Sequence, residues 1–149
     1  MKKQLKILLP LIFTIIVSNL LINFGKVNYN MLIKPNFAPP SWAFALAWSI
    51  IYIILYITSI SYFKTENSKY SLVLYYLLLG SHIIWNFFFF FLNFKLLAIF
   101  ILIVVYIISV AYLLSISKKN PKLFYANVLY LLWLIFALIL NISFYLLNK

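Results

Sequence analysis

Lys34-Pro35-Asn36-Phe37-Ala38-Pro39-Pro40-Ser41-Trp42 runs without a break into Ala43-Phe44-Ala45-Leu46-Ala47-Trp48-Ser49-Ile50-Ile51-Tyr52-Ile53-Ile54-Leu55-Tyr56. Proline fixes its own φ, lacks an N–H and pushes the residue before it out of the helical region. Pro35, Pro39 and Pro40 therefore hold a stiff, non-helical segment as far as Ser41. Beyond Ser41 there is neither proline nor glycine until well past Phe63, and the run is apolar enough for a long helix. Pro40, Phe44, Trp48, Tyr52 and Tyr56 recur at four-residue steps, so they share one helical face. A flat, π-rich wall behind a semi-rigid lid suits a large, flat, apolar ligand.

The surroundings of this stretch decide the class of protein. Of 149 residues, 67% are hydrophobic, and the mean hydropathy is +1.10. A soluble domain of this size cannot hide so much apolar surface. Charges gather between the apolar runs, as in a polytopic membrane protein. The expected fold is all-α, a five-transmembrane-helix bundle forming a single domain over 1–149. Its spans are predicted at about 5–24, 41–63, 70–92, 95–117 and 124–147, each long enough at 1.5 Å per residue for a ~30 Å hydrocarbon core. The run after Met1-Lys2-Lys3 is too long for a signal-peptide core and lacks a small-residue cleavage site, so it reads as a retained first span.

The first connection, 25–40, is long, and it alone has the length to fold over a cavity mouth. The others are short and make successive spans antiparallel neighbours. Lys2, Lys3, Lys6, Lys64, Lys69, Lys118, Lys119 and Lys122 fall on one side, against Lys26, Lys34, Lys95 and Lys149 on the other. The excess of basic residues places the first side in the cytoplasm. The N-terminus is then inside, with the first loop and the C-terminus outside.

Inventory removes many chemistries. The net charge of +11 comes from lysines alone, placed at helix ends, where ammonium groups snorkel to lipid headgroups. With no arginine to fork onto phosphate or guanine, no nucleic-acid partner is expected. There is no cysteine, one acid (Glu66) and one histidine (His82). Carboxylate dyads, Ser-His-Asp triads and multi-histidine metal centres are excluded, and no metal site and no cofactor are expected. The spans carry no Asp, Glu, Arg or central Lys, which argues against ion-coupled transport.

The candidate functional residues are aromatic and amide side chains. Trp48 and Trp133 lie well inside their spans, where an indole N–H needs a partner or a polar cavity. Ligand contact and plain core or lipid packing are both compatible with their spacing. Tyr130, Trp133, Ala137, Asn141 and Phe144 share a face of the fifth span, with Ala137 leaving room beside the indole. His82, Asn86 and Asn93 form a polar stripe on the third span next to Trp85, Phe89 and Phe90. Asn19, Asn23 and Asn93 read as interhelical hydrogen-bond glue, Asn86 as a ligand contact. Trp42 and Trp85 are assigned to the membrane interface. His82 is either a haem or metal ligand or a satisfied structural residue.

Three motifs carry a family resemblance. They are Tyr29-x4-Lys34-Pro35-x3-Pro39-Pro40-x-Trp42-x-Phe44-x3-Trp48-x3-Tyr52, Trp85-Asn86-x2-Phe89-Phe90, and Tyr130-x2-Trp133-x3-Ala137-x2-Leu140-Asn141. Together they resemble the signature of the tryptophan-rich sensory protein / translocator protein family (TspO/MBR, or peripheral benzodiazepine receptors). The resemblance implies a homodimeric five-helix bundle in a membrane, here expected to be the bacterial plasma membrane. It implies a receptor for tetrapyrroles such as protoporphyrin IX, and possible further ligands in sterols and other flat apolar molecules, beside membrane lipid. The alternatives it brings are a light- and oxygen-dependent porphyrin-degrading enzyme and a porphyrin or lipid transporter. The implied ligand-binding residues are Tyr29, Pro39, Phe44, Trp48, Tyr52, Asn86, Phe89, Trp133, Ala137 and Asn141, with Trp48 and Trp133 catalytic if porphyrin is broken down. The chain departs from the family pattern at Phe37, Ala45-Leu46, His82 and Leu129, where tryptophan, Gly-Pro, asparagine and proline are usual.

Overall fold

A computed structural model describes residues 2–149, which form helices and loops with no strand among them. The helices are α1 (Lys2–Asn23), α2 (Ser41–Thr65), α3 (Lys69–Asn86), α4 (Lys95–Ser117), α5 (Lys122–Tyr125) and α6 (Val128–Leu147). Counting α5 with α6 as one span, five segments among the described residues are long and apolar enough to cross a membrane. The protein is an all-α integral membrane bundle. The fifth span is not one continuous helix from Phe124, as expected. It starts as α5, breaks at Ala126-Asn127 and resumes as α6. Buried Asn127 stabilises the break, its amide donating to Leu123 O at 2.8 Å and to Thr58 Oγ1 of α2 at 3.2 Å.

Around the bundle the helices follow the order α2, α1, α3, α4, α6. Where backbones approach, tyrosine, serine and asparagine side chains cross-link them. Such bonds in hydrocarbon contribute about 0.6 kcal/mol on average. Tyr112 of α4 meets Ser59 of α2 at 2.7 Å. Tyr75 of α3 donates to Ile7 O of α1 at 2.9 Å. Pro10 removes the N–H that would bond Lys6 O in α1, and the Tyr76 hydroxyl donates to that oxygen at 3.2 Å.

At its C-terminal end α3 loosens into a π-helical turn, Phe87–Phe91. Wider π turns disrupt the regular ladder and are frequent at functional sites. Here Phe90 O accepts a hydrogen bond from Val27 N at 3.0 Å, tying the start of the first loop to α3. The chain then reverses at Asn93, which adopts φ 64°, a conformation asparagine tolerates better than most residues. Asn93 is not glue between helices. It is exposed, and its Oδ1 accepts from Lys95 Nζ two residues on.

Candidate functional site

A cavity of about 650 Å³ lies between α1, α2, α3 and α6, beneath the first loop. The four-residue ladder on α2 makes one wall, with Phe44, Trp48, Tyr52 and Tyr56 all facing it. Pro40 is the exception in the ladder: it caps α2 and does not line the cavity. Trp133, Ala137, Asn141 and Phe144 face it from α6, and Trp85, Asn86, Phe89 and Phe90 from α3 and its π turn. The two ladders touch edge to face, Phe44 against Trp133 at 5.9 Å. Trp48 stacks on Tyr52 at 5.5 Å and 30°, and lies 6.4 Å from Trp85. Aromatic pairs in these geometries contribute about 0.5–1.5 kcal/mol beyond the area they bury. α2 thus meets α3 and α6 through large rings rather than by close backbone approach, which leaves the space between them open.

The polar groups are few. Asn86 donates to Ser18 Oγ of α1 at 3.1 Å and to His82 O at 2.9 Å, so it ties α3 to α1 while lining the cavity. His82 does not line it. It sits behind Trp48, ring centroids 5.2 Å apart, and its Nε2 bonds the Tyr130 hydroxyl at 2.9 Å. Tyr130 in turn bonds Ser109 Oγ of α4 at 2.6 Å. The histidine is thereby a buried structural link between α3, α6 and α4 that backs the indole. No group of three or more metal-ligating side chains occurs among the described residues.

Hydrogen-bonding capacity is left over in the cavity wall. The Trp85 and Trp133 indole N–H groups and both amide atoms of Asn141 are buried with no partner among the described residues. Each such group costs about 1–3 kcal/mol of desolvation. All three residues line the cavity, and no lysine or glutamate among the described residues does.

The first loop forms the roof. Tyr29 lines the cavity, edge-on to Phe44 at 5.0 Å and to Phe144 at 5.5 Å. Its hydroxyl donates to Pro39 O at 2.6 Å. Pro39 is not part of the lining; its carbonyl anchors Tyr29, which is. Burial of Tyr29 raises the pKa of its phenol above the usual value. The Lys34 ammonium lies 4.7 Å from the centre of the Tyr29 ring. At the far end of the loop, Ile33 N donates to Asn148 Oδ1 at 2.8 Å and Ile33 O accepts from Asn148 Nδ2 at 3.0 Å. One amide side chain thus pairs with both the N–H and the C=O of a single loop residue.

The structure brings Tyr29, Phe44, Trp48, Tyr52, Asn86, Phe89, Trp133, Ala137 and Asn141 to one cavity. Two interface assignments divide. Trp42 is 66% exposed, whereas Trp85 is 8% exposed and faces the cavity. Asn19 bonds its own helix at Ile15 O, 2.8 Å, rather than a neighbouring one, and Asn23 is exposed. The fourth wall escaped the sequence reading altogether. Leu8, Leu11, Ile12, Ile15, Ser18, Asn19 and Ile22 of α1 line the cavity. Their three- and four-residue spacing was visible, but in an apolar span it looks like ordinary packing.

The sequence model of the TspO/MBR family matches residues 6–146, nearly the whole chain. The chain belongs to the TspO/MBR family. No curated protein sequence matches it significantly. The match runs from α1 to the end of α6, so it takes in every wall of the cavity and its roof. Membership of the TspO/MBR family supports a membrane protein of the receptor or transporter kind.

Proposed function

We propose that the protein is a membrane receptor that holds a tetrapyrrole of the protoporphyrin type in this cavity. One observation carries the reading: the α2 ladder with Trp48 and the α6 face with Trp133 and Phe144 line a single uncharged cavity of about 650 Å³. That volume falls within the range of small-molecule sites, roughly 300–1,000 Å³, and the lining is apolar with a few convergent polar groups, as such sites are. Flat rings stack on Trp48 and Tyr52, while the unpartnered indole N–H groups and the Asn141 amide serve the polar atoms of the ligand. Acidic substituents stay at the roof near Lys34, because a carboxylate in the uncharged interior would go uncompensated. The test is a titration of protoporphyrin IX followed by quenching of tryptophan emission. Binding should weaken by tenfold or more in Trp48→Phe plus Trp133→Phe. An unchanged affinity in that variant would sink the proposal.

The two indoles beside the ligand also favour a second reading, light-dependent breakdown of the bound porphyrin. The excited ligand and dioxygen supply that chemistry, and the protein supplies position. Equal bleaching rates with native and heat-denatured protein would exclude it. Assembly as a homodimer, the N-terminus-inside orientation and residence in a bacterial plasma membrane remain parts of the proposal that follow from lysine placement and family membership.

A further inference from the structure

We propose that the cavity is filled from the lipid, through a slot between α1 and α2 in the half of the membrane on the side of the first loop. The inference rests on the binding reading above and specifies where its ligand comes from. Seven residues that line the cavity are at the same time exposed: Ile12, Asn19 and Ile22 of α1, and Ser41, Ala45, Ser49 and Ile53 of α2. A side chain that both lines a cavity and is exposed marks an opening. All seven come from the two facing helices.

Their positions give the slot a size and a depth. Ile12 to Ile22 is ten residues of α1, and Ser41 to Ile53 is twelve of α2, so the rims run about 15 Å and about 18 Å along the helices. Both rims start close to the loop end, since α1 finishes at Asn23 and α2 begins at Ser41. The slot therefore occupies roughly half of a ~30 Å hydrocarbon core. Its rims carry four apolar and three polar residues, with Ser41, Ala45 and Ser49 small. Two of the three polar rim residues are locally quieted, Ser49 Oγ donating to Ala45 O at 2.7 Å and Asn19 Nδ2 to Ile15 O. Free at the rim is Asn19 Oδ1, an acceptor for a ligand in transit.

The aqueous side is shut by comparison. The loop is tied to α3 through Val27, to itself through Tyr29 and Pro39, and to the end of α6 through the two bonds between Ile33 and Asn148. A water-borne ligand would have to break these ties, whereas a flat apolar molecule dissolved in the leaflet would not. The ligand class that fits is a membrane-partitioned, flat apolar molecule, uncharged over the part that passes the slot.

The experiment uses the full chain in phosphatidylcholine vesicles, with protoporphyrin IX dimethyl ester as probe and stopped-flow tryptophan quenching as readout. Three results are expected. The binding rate follows the mole fraction of probe in the lipid, not its total concentration when lipid is added. Ala45→Phe and Ser49→Phe, each tested alone, slow association and dissociation together by tenfold or more. Asn148→Ala, which frees the loop, changes either rate less than twofold. Rates that ignore both slot variants, or that rise tenfold when the loop is freed, overturn the portal while equilibrium quenching leaves the binding reading intact. Absence of equilibrium quenching in the wild type overturns both.

Discussion

Gly25 gives the sharpest test of how the roof is held. A Cβ built there would lie 2.5 Å from Leu21 O and 2.5 Å from Phe90 O, where ordinary contact begins at 3.4 Å. Both obstacles are backbone, one at the end of α1 and one in the π turn, and neither yields as a side chain would. In Gly25→Ala the loop must retreat by the difference, 3.4 − 2.5, about 0.9 Å. Two residues on, Val27 N donates to Phe90 O at 3.0 Å. A retreat of that size carries the pair past hydrogen-bonding distance, losing about 0.5–1.5 kcal/mol. With residual crowding, the tie to α3 weakens by roughly 1–2 kcal/mol, which multiplies local opening about 5–30-fold. Hydrogen–deuterium exchange of residues 26–32 in detergent should accelerate by that factor, while the cores of α3 and α4 keep their protection. Gly80 provides the control, since a Cβ there meets nothing within 4 Å. Gly80→Ala should leave loop exchange unchanged and stabilise α3 by about 0.5–1 kcal/mol, the helix preference of alanine over glycine. Exchange in Gly25→Ala within twofold of wild type would refute the reasoning that this contact fixes the roof.

Further expectations follow from neighbouring contacts. Tyr130→Phe removes the bonds to His82 and Ser109 and leaves both partners buried. It should destabilise the bundle by about 1–3 kcal/mol, read by thermal unfolding in detergent, and a loss under 0.5 kcal/mol would contradict the role given to that chain. Ala137→Leu fills space between Trp133 and Asn141 and should weaken protoporphyrin IX binding about tenfold, measured by the same quenching titration; unchanged affinity would move the ligand away from α6. The Tyr29 phenol has its pKa raised by burial in the folded protein, so its contribution is complete below the unfolded value near 10 and disappears as pH rises through the higher folded value. Loop exchange, corrected for the intrinsic pH dependence, should stay flat from about pH 6 to 9 and rise above that in the wild type, but not in Tyr29→Phe. A wild type and variant that loosen together would show that another group controls the roof.

Some of this protein is written in its sequence. Membrane spans declare themselves because twenty apolar residues in a row have one stable environment, and the prolines before Ser41 set where α2 starts. The α2 ladder was legible because a period of four on a helix leaves little choice of face. Trp133, Ala137 and Asn141 were legible through their spacing together with the family motifs. The same logic fails for α1, whose cavity-lining stripe is made of leucine and isoleucine, residues that look alike against a ligand, a neighbour or lipid. It fails for Trp85, since composition does not say whether an indole near a helix end turns outward to the headgroups or inward. It fails also for Pro39, whose part in the roof is a backbone carbonyl that carries no side-chain signal.

Local sequence thus determined the five spans and which rings share a face, though not the break between α5 and α6, because spans and faces depend on backbone periodicity and on transfer from water to lipid. Tertiary structure alone decided that α2 stands off from α3 and α6 across its aromatic rings, that α1 closes the fourth side only in part, and that Asn148 grips the loop from 115 residues away. Those outcomes depend on which surfaces meet, and a helix in hydrocarbon has little in its own sequence to choose between neighbours that are all equally apolar.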